Sequence, residues 1–327
     1  MIVVLTGASG LLGERVIDGL GSRGIDVVVE RSGDDVELAP DACVVVVDLG
    51  SSDYDRRAAR RQSATEFAAR TLATADRLRA TQVVFVSSAM VYGALSNNPV
   101  PLTEESALRP DVEFVFARQL ASAEELVEQW RQSAPGRATC ALRPAVALAA
   151  GGGSRLASAI VSGFGRRLAE ADPPSQFLHL DDLAAAVVLA VADRLDGVYN
   201  VAPDGWIAGE RVRALSGERP RIPLPERFGE LMSGLRWRLQ RGPIPPGLLS
   251  YTREPWVISN GRLRAAGWQP TVTNEQTYVE STEAPWWTMV SPKRRQELAL
   301  GGGITVGLLG ALVVSLIVRR RVSRRRG

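Results

Sequence analysis

The feature that most constrains this chain is its opening stretch, Met1-Ile-Val-Val-Leu-Thr-Gly-Ala-Ser-Gly-Leu-Leu-Gly13. Five apolar residues read as a buried parallel strand, and the apolar spacing Leu12, Val16, Leu20 continues as a helix. Gly7, Gly10 and Gly13 fall in the turn between them. Such a turn needs its first glycine for the bend, its second so that a pyrophosphate can approach the backbone, and its third for close helix–strand packing. The phosphates would rest on free N–H groups at the helix start. A second short apolar strand, Ile25 to Val29, ends at Glu30, which lies 23 residues beyond Gly7. At about that offset an acidic side chain accepts hydrogen bonds from an adenosine ribose. Its charge disfavours a 2′-phosphate and so favours NAD over NADP, although Arg31 beside it works against that preference.

The strand signals recur down the chain, and they predict an α/β fold with a doubly wound parallel sheet. Ala42 to Val47 is strongly apolar, but only about ten residues separate it from the second strand. That is too short for a helix, a strand and a second helix, so one strand of a full βαβαβ half is expected to be missing or reduced to an irregular crossing. Residues 51 to 62 are polar and arginine-rich, and suit either a helix start or a loop over a ligand cleft. Residues 63 to 79 and about 116 to 132 have helical apolar periodicity. Val83 to Ser88 is a further strand that delivers two hydroxyls, Ser87 and Ser88, at its carboxyl end, where open α/β sheets bind ligands. Ala138 to Leu142 and Val198 to Val201 read as strands, Ser154 to Glu170 as a helix, and Phe177 to Asp182 as a strand running into a helix that Asp181 or Asp182 would cap.

Composition excludes several classes. With 45% apolar and 23% charged residues the chain is an ordinary globular one. His179, the single histidine, cannot support a histidine-rich metal site, and its apolar neighbours suit a packed core residue. Cys43 and Cys140 lack metal-ligand spacing and are expected to be buried thiols in a reducing compartment. No secretory leader is legible ahead of the first strand. Nucleic-acid binding is disfavoured, because the densest basic cluster, at Arg319 to Arg326, lacks interleaved aromatics.

That cluster follows Leu298 to Val318, 21 residues without a charge. As a helix they would span roughly 30 Å, a bilayer core. Trp286, Trp287 and Lys293 to Arg295 precede them. The expected organisation is a core over residues 1–202, a small lid or substrate lobe over 203–285 with contributions from 151–176, a basic linker at 286–297, a transmembrane helix at 298–318 and an arginine-rich tail at 319–327. Leu231 to Arg241 is a basic amphipathic patch suited to lipid or to covering the lobe. The arginine tip prefers the cytoplasm, whereas a leaderless nucleotide-binding domain should also remain there. The two expectations conflict, and the domain argument favours a cytoplasmic main domain with a single-pass C-terminal anchor.

Thr6-Gly-x-x-Gly-x-x-Gly13, Ser87-Ser-Ala-x-Val-Tyr-Gly93, Arg143-Pro144 and Phe177-Leu-His-Leu-Asp-Asp-Leu-Ala184 occur together and in order. The set resembles the extended short-chain dehydrogenase/reductase family, in particular its NAD-dependent epimerase/dehydratase group, over residues 1 to about 280. The resemblance implies a Rossmann-like sheet, with cofactor contacts at Thr6, Gly7, Gly10, Leu11, Leu12, Gly13, Glu30, Leu49, Gly50 and Ser87. The ligand expected with it is a small molecule or a nucleotide sugar, with pairing to a second copy of the chain and no metal. Family enzymes use a serine or threonine, a tyrosine as general acid/base and, four residues on, a lysine that lowers the tyrosine's pKa. The first role falls on Ser88. The helix Phe116-Ala-Arg-Gln-Leu120 is similar to the family's Tyr-x-x-x-Lys helix, with Phe116 at the tyrosine and Leu120 at the lysine. A shifted register, with Arg118 for the lysine, places Phe114 at the tyrosine, and neither register supplies the phenol. The family's asparagine before the Ser-Ser strand would fall near Ala64, and its acidic residue near adenine has no clear counterpart. General acid/base catalysis is worth about 10²- to 10⁴-fold, so ordinary turnover should be severely impaired. The expectation is therefore a membrane-tethered NAD-binding protein acting as a sensor, scaffold or partner subunit. The alternatives are an active epimerase, dehydratase or oxidoreductase whose acid/base comes from elsewhere, for instance Tyr92, and a structural membrane protein without a ligand.

Overall fold

A computed structural model describes residues 1–30, 42–150, 154–163, 173–215 and 246–282. The first strand, β1 (Ile2–Thr6), pairs in parallel with β2 (Asp26–Glu30) on one side and β3 (Val44–Asp48) on the other. Beyond β3 follow β4 (Gln82–Val86), β5 (Ala138–Pro144) and β8 (Gly197–Val201), again parallel. The order β2-β1-β3-β4-β5-β8 makes six strands. A separate parallel pair joins β6 (Val146–Leu148) to β7 (Phe177–His179). Among the described residues β2 is the last strand on its side, and the stretch expected to lack or reduce a strand, 31–41, lies outside them.

Apolar runs give this sheet because both faces are covered, so successive residues find a core on either side. Val3, Leu5, Val45, Val47, Val84 and Val86 face helices α1 (Leu11–Gly21) and α6 (Leu180–Ala192). Val4, Val44, Val46, Val83 and Phe85 face α3 (Ala64–Arg77) and α4 (Val115–Gln132). Helix α3 starts in a capping box, in which Ser63 Oγ accepts from Glu66 N at 3.0 Å and Glu66 accepts from Ser63 N. The carboxamide missing at Ala64 arrives from α4, where Gln119 Oε1 accepts from Ala64 N at 3.1 Å and ties the two helices at their starts.

Two short helices, α2 (Tyr54–Arg60) and α5 (Arg155–Gly163), close over the carboxyl ends of the strands. Asp55 Oδ2 accepts from Arg155 N at 2.8 Å and holds them together. Further α-helices among the described residues are α7 (Gly209–Leu215), α8 (Gly261–Ala265) and α9 (Asn274–Ser281). Their segment is fastened to the sheet by buried side chains. Asp182 accepts from Thr271 N, Thr271 Oγ1 and Val272 N, and Gln176 bonds Ile258 through both ends of its carboxamide.

Two expectations need correction. The cap of α6 is His179, whose Nδ1 accepts from Asp181 N at 3.3 Å, while Asp182 holds the C-terminal segment and Asp181 pairs with Arg15. Cys43 lies just before β3 begins and is exposed, and Cys140 in mid-β5 is buried, its thiol pKa pushed up by burial. The helix read over Ser154 to Glu170 is described as Arg155–Gly163, and its remainder lies outside the described residues. So do the amphipathic patch at 231–241 and the apolar segment at 298–318. Among the described residues no helix is long and apolar enough to cross a membrane.

Candidate functional site

The turn after β1 has the geometry its glycines require. Gly7 adopts φ +73°, and a Cβ there would lie 2.4 Å from Gly50 Cα, so the turns after β1 and β3 touch backbone to backbone. A Cβ on Gly13 would lie 2.3 Å from Ala8 O, which makes this glycine the close helix–turn contact. Gly10, at φ +106° and ψ −179°, caps α1, and a Cβ there would meet nothing within 4 Å. The first helical bond runs from Glu14 N to Gly10 O, so the N–H groups of Leu11, Leu12 and Gly13 have no intrahelical acceptor. An open space beside a bare backbone at a helix start fits an anionic pyrophosphate.

From this turn a cavity of about 380 Å³ runs across the carboxyl ends of the strands. It is lined by Gly7, Gly10, Leu11, Leu12, Gly13, Leu49, Ser87, Ser88 and Phe116, and so gathers most of the residues the sequence singles out. Thr6, Glu30 and Gly50 are not on its wall. Thr6 is buried with its Oγ1 against Thr71 Oγ1 at 3.1 Å. Gly50 lies behind the turn, where a Cβ would strike the Phe67 ring. Glu30 Oε1 accepts from Thr74 Oγ1 at 2.9 Å, with Arg77 at 3.8 Å, so its carboxylate is turned onto α3.

Ser88 is half-buried at the end of β4, and its Oγ accepts from Met90 N at 3.2 Å. Ser87 donates to Glu124 Oε1 at 2.5 Å, away from solvent. Phe116, the second residue of α4, reaches the cavity wall, whereas Leu120 is fully buried and Phe114 packs among aromatic rings. Of the two phenylalanines, Phe116 lines the cavity and Phe114 is not among its lining residues.

Tyr92 is not available as a substitute acid. It is completely buried, its hydroxyl donating to Asn200 Oδ1 at 2.8 Å and accepting from Arg143 Nη1 at 2.8 Å. Arg143 in turn forks onto buried Glu124, with Nη2 at 2.5 Å and Nε at 3.1 Å from each oxygen. Burial works against the Arg143 charge, but its bonds to Glu124 and the charge of that carboxylate outweigh it and hold the pKa above the ordinary value. Burial raises the Tyr92 pKa, partly opposed by Arg143. The network locks the end of β4, α4 and β5 together, which fixes where Ser88 and Phe116 stand.

Sequence reasoning missed two parts of the site. Tyr54, at the first residue of α2, stands on the cavity wall edge-on to Phe116, with ring centroids 5.2 Å apart and planes at 80°. Burial raises its pKa, with Arg155 opposing, so its hydroxyl is a donor at neutral pH. Asp48 is fully buried at the end of β3. Its Oδ1 accepts from Gly50 N and Ser51 N, and its Oδ2 from Ser51 Oγ, which shapes the turn that meets Gly7. The pattern Asp48-Leu-Gly-Ser51 is a readable Asx-turn signal. The position of Tyr54 depends on the tertiary clamp between Asp55 and α5, for which no local signal exists.

Residues 3–202 match the family model described as the NAD dependent epimerase/dehydratase family. The chain belongs to this family. No curated protein sequence matches it. Solved structures match its fold, among them the Thermus thermophilus UDP-glucose 4-epimerase in complex with NAD, at 18% identity and TM-score 0.60 over 86% of this chain and 97% of that one. A short-chain dehydrogenase/reductase superfamily protein from Agrobacterium tumefaciens with bound NAD matches at 18% identity and TM-score 0.59, over 92% and 99%. The dTDP-glucose 4,6-dehydratase of Bacillus anthracis in complex with NAD matches at 14% identity and TM-score 0.56, over 89% and 97%.

Proposed function

We propose that this family member is a membrane-tethered NAD-binding protein that has lost the standard proton relay and acts as a sensor, scaffold or partner subunit. The observation that carries the reading is a division within one cavity. Its glycine end keeps the open backbone at Gly10 and the helix-start N–H groups, while neither Phe116 nor Leu120 supplies a phenol or an ammonium at its position. The glycine turn and the α1 start would hold the pyrophosphate of NAD, and the carboxyl ends of β3 and β4 would flank the rest. Bound NAD would supply a hydride acceptor. A phenyl ring can pack against it but cannot move a proton. Support for the tether is the uncharged run Leu298 to Val318 with cations at both ends. Residues beyond 202 form the lid or substrate lobe in this reading.

A second reading has one specific observation in its favour. Tyr54 brings a hydroxyl into the cavity beside Phe116, so an active enzyme with a non-standard acid would rely on it. The intact chain with NAD should form no reduced cofactor, followed at 340 nm, with sugar nucleotides or simple secondary alcohols, while Phe116→Tyr should raise any residual turnover. Wild-type turnover at an ordinary enzymatic rate, above about 1 s⁻¹, that Tyr54→Phe abolishes would establish the second reading instead.

A further inference from the structure

Helix α5 lies between the cavity and solvent. Its Leu156, Ala157 and Ile160 line the cavity wall, while Arg155 and Ser158 are exposed. Ser52, Asp53 and Tyr54, at and just before the start of α2, line the same cavity. Helix α2 is seated on the body of the fold, with Tyr54 edge-on to Phe116 and the Arg57 guanidinium 4.1 Å over the Phe67 ring. We propose that α5 is a lid on this cavity, latched to α2 by Asp55, and that bound NAD holds the latch shut. The proposal rests on the reading that the cavity takes NAD.

The latch is a helix cap supplied from another helix. Asp55 Oδ2 accepts at 2.8 Å from the N–H of Arg155, the first residue of α5, a group that has no acceptor within its own helix. The helix dipole favours a carboxylate there. Ser154 caps the same turn from within, its Oγ accepting from Ala157 N at 3.1 Å. If Asp55 lets go, the Ser154 cap stays with α5, so the helix can part from α2 as a unit instead of fraying. The charge attraction that accompanies the bond is weak. Arg155 Nε lies 3.9 Å from Asp55 Oδ1, too far for a hydrogen bond, and the arginine side chain is 72% exposed and screened by water. One carboxylate-to-amide bond with a screened ion pair favours closure by about 5- to 30-fold. A ligand shifts an equilibrium of that size when it binds the closed form better than the open one. A dinucleotide running from the glycine turn along the cavity touches the α2 start and the inner side of α5 together only when the latch is shut. Occupancy of the cavity is then expressed at the surface as the position of α5.

Two measurements on the intact chain in lipid nanodiscs test this. Hydrogen exchange at the Arg155 amide reads the latch, and stopped-flow displacement of bound NAD reads its effect. Saturating NAD should slow exchange at Arg155 at least about fivefold. Asp55→Ala should remove that protection and speed NAD release about 5- to 30-fold, with exchange in β4 unchanged. Arg155→Pro removes the donor N–H at a first helical position, where proline is tolerated, and should speed release by a similar factor. The two changes together should speed it no further, because they break the same bond. Asp55→Asn keeps an oxygen for Arg155 N and should speed release by less than about threefold. Glu275→Ala, which breaks an exposed ion pair between α9 and α7, should leave release unchanged. NAD that binds without slowing exchange at Arg155, or that leaves the Asp55→Ala and Arg155→Pro chains at the wild-type rate, overturns the lid and leaves the cofactor reading standing. An absence of saturable NAD binding overturns the cofactor reading and the lid with it.

Discussion

Tyr92→Phe separates a structural tyrosine from a catalytic one. The substitution removes one oxygen from a completely buried ring and leaves the ring's packing in place. Asn200 Oδ1 loses its donor, and Arg143 Nη1 loses its acceptor. Asn200 Nδ2 is already buried with no partner among the described groups, so the amide cannot compensate by turning over without stranding its oxygen. Arg143 keeps its fork onto Glu124, which limits the damage to one neutral and one charge-assisted hydrogen bond. Leaving a buried neutral group unpaired costs about 1 kcal/mol or more and a charged one about 2, for a total of about 2–4 kcal/mol. In a domain of this size that corresponds to a fall in melting temperature of roughly 5–10 °C. Thermal unfolding of the intact chain measures it, alongside an NAD titration that should be unchanged below the transition. Unaltered melting would refute the burial argument, and loss of NAD-dependent turnover without loss of stability would make Tyr92 the missing acid.

Gly10→Ala and Gly24→Ala form a matched pair. Gly10 occupies a backbone region essentially restricted to glycine, so alanine there should cost about 1–3 kcal/mol and also weaken NAD, because its methyl enters the space left beside the helix start. Gly24, at φ +69° in the left-handed region and likewise facing open space, should lose about 1–2 kcal/mol and no NAD affinity. Unequal thermal losses with equal NAD affinities would count against the cradle. Iodoacetamide applied to the folded chain should alkylate exposed Cys43 and spare Cys140, which is buried and has a raised thiol pKa; mass spectrometry of the digested chain reads this directly.

The fold was legible because its signals are local. Val44 to Val47 must be buried on both faces, so the run alone announces a parallel strand, and Gly7, Gly10 and Gly13 announce the turn by spacing. The same logic singled out Ser88 and Phe116, which line the cavity near a strand end and at a helix start. It says less where a side chain has several partners in reach. Glu30 reads as a ribose ligand from its offset, and its carboxylate also accepts from Thr74 on a helix more than forty residues away, a partner that no offset announces. Asp181 and Asp182 both look like caps, but Asp182 finds three donors at Thr271 and Val272, and His179 takes the cap. Cys43 lies in an apolar run but just outside the strand that buries its neighbours. Tyr54, Leu156 and Ile160 meet at the cavity only because Asp55 clamps two short helices, a contact spanning a hundred residues.

The central claim is that the glycine turn still cradles a dinucleotide although the proton relay beside Ser88 is gone. Calorimetric titration of NAD into the intact chain in nanodiscs tests it most directly. The account predicts saturable binding at one site per chain, weakened by Gly10→Ala and indifferent to Tyr92→Phe. No binding up to millimolar NAD, with the chain folded, would contradict it.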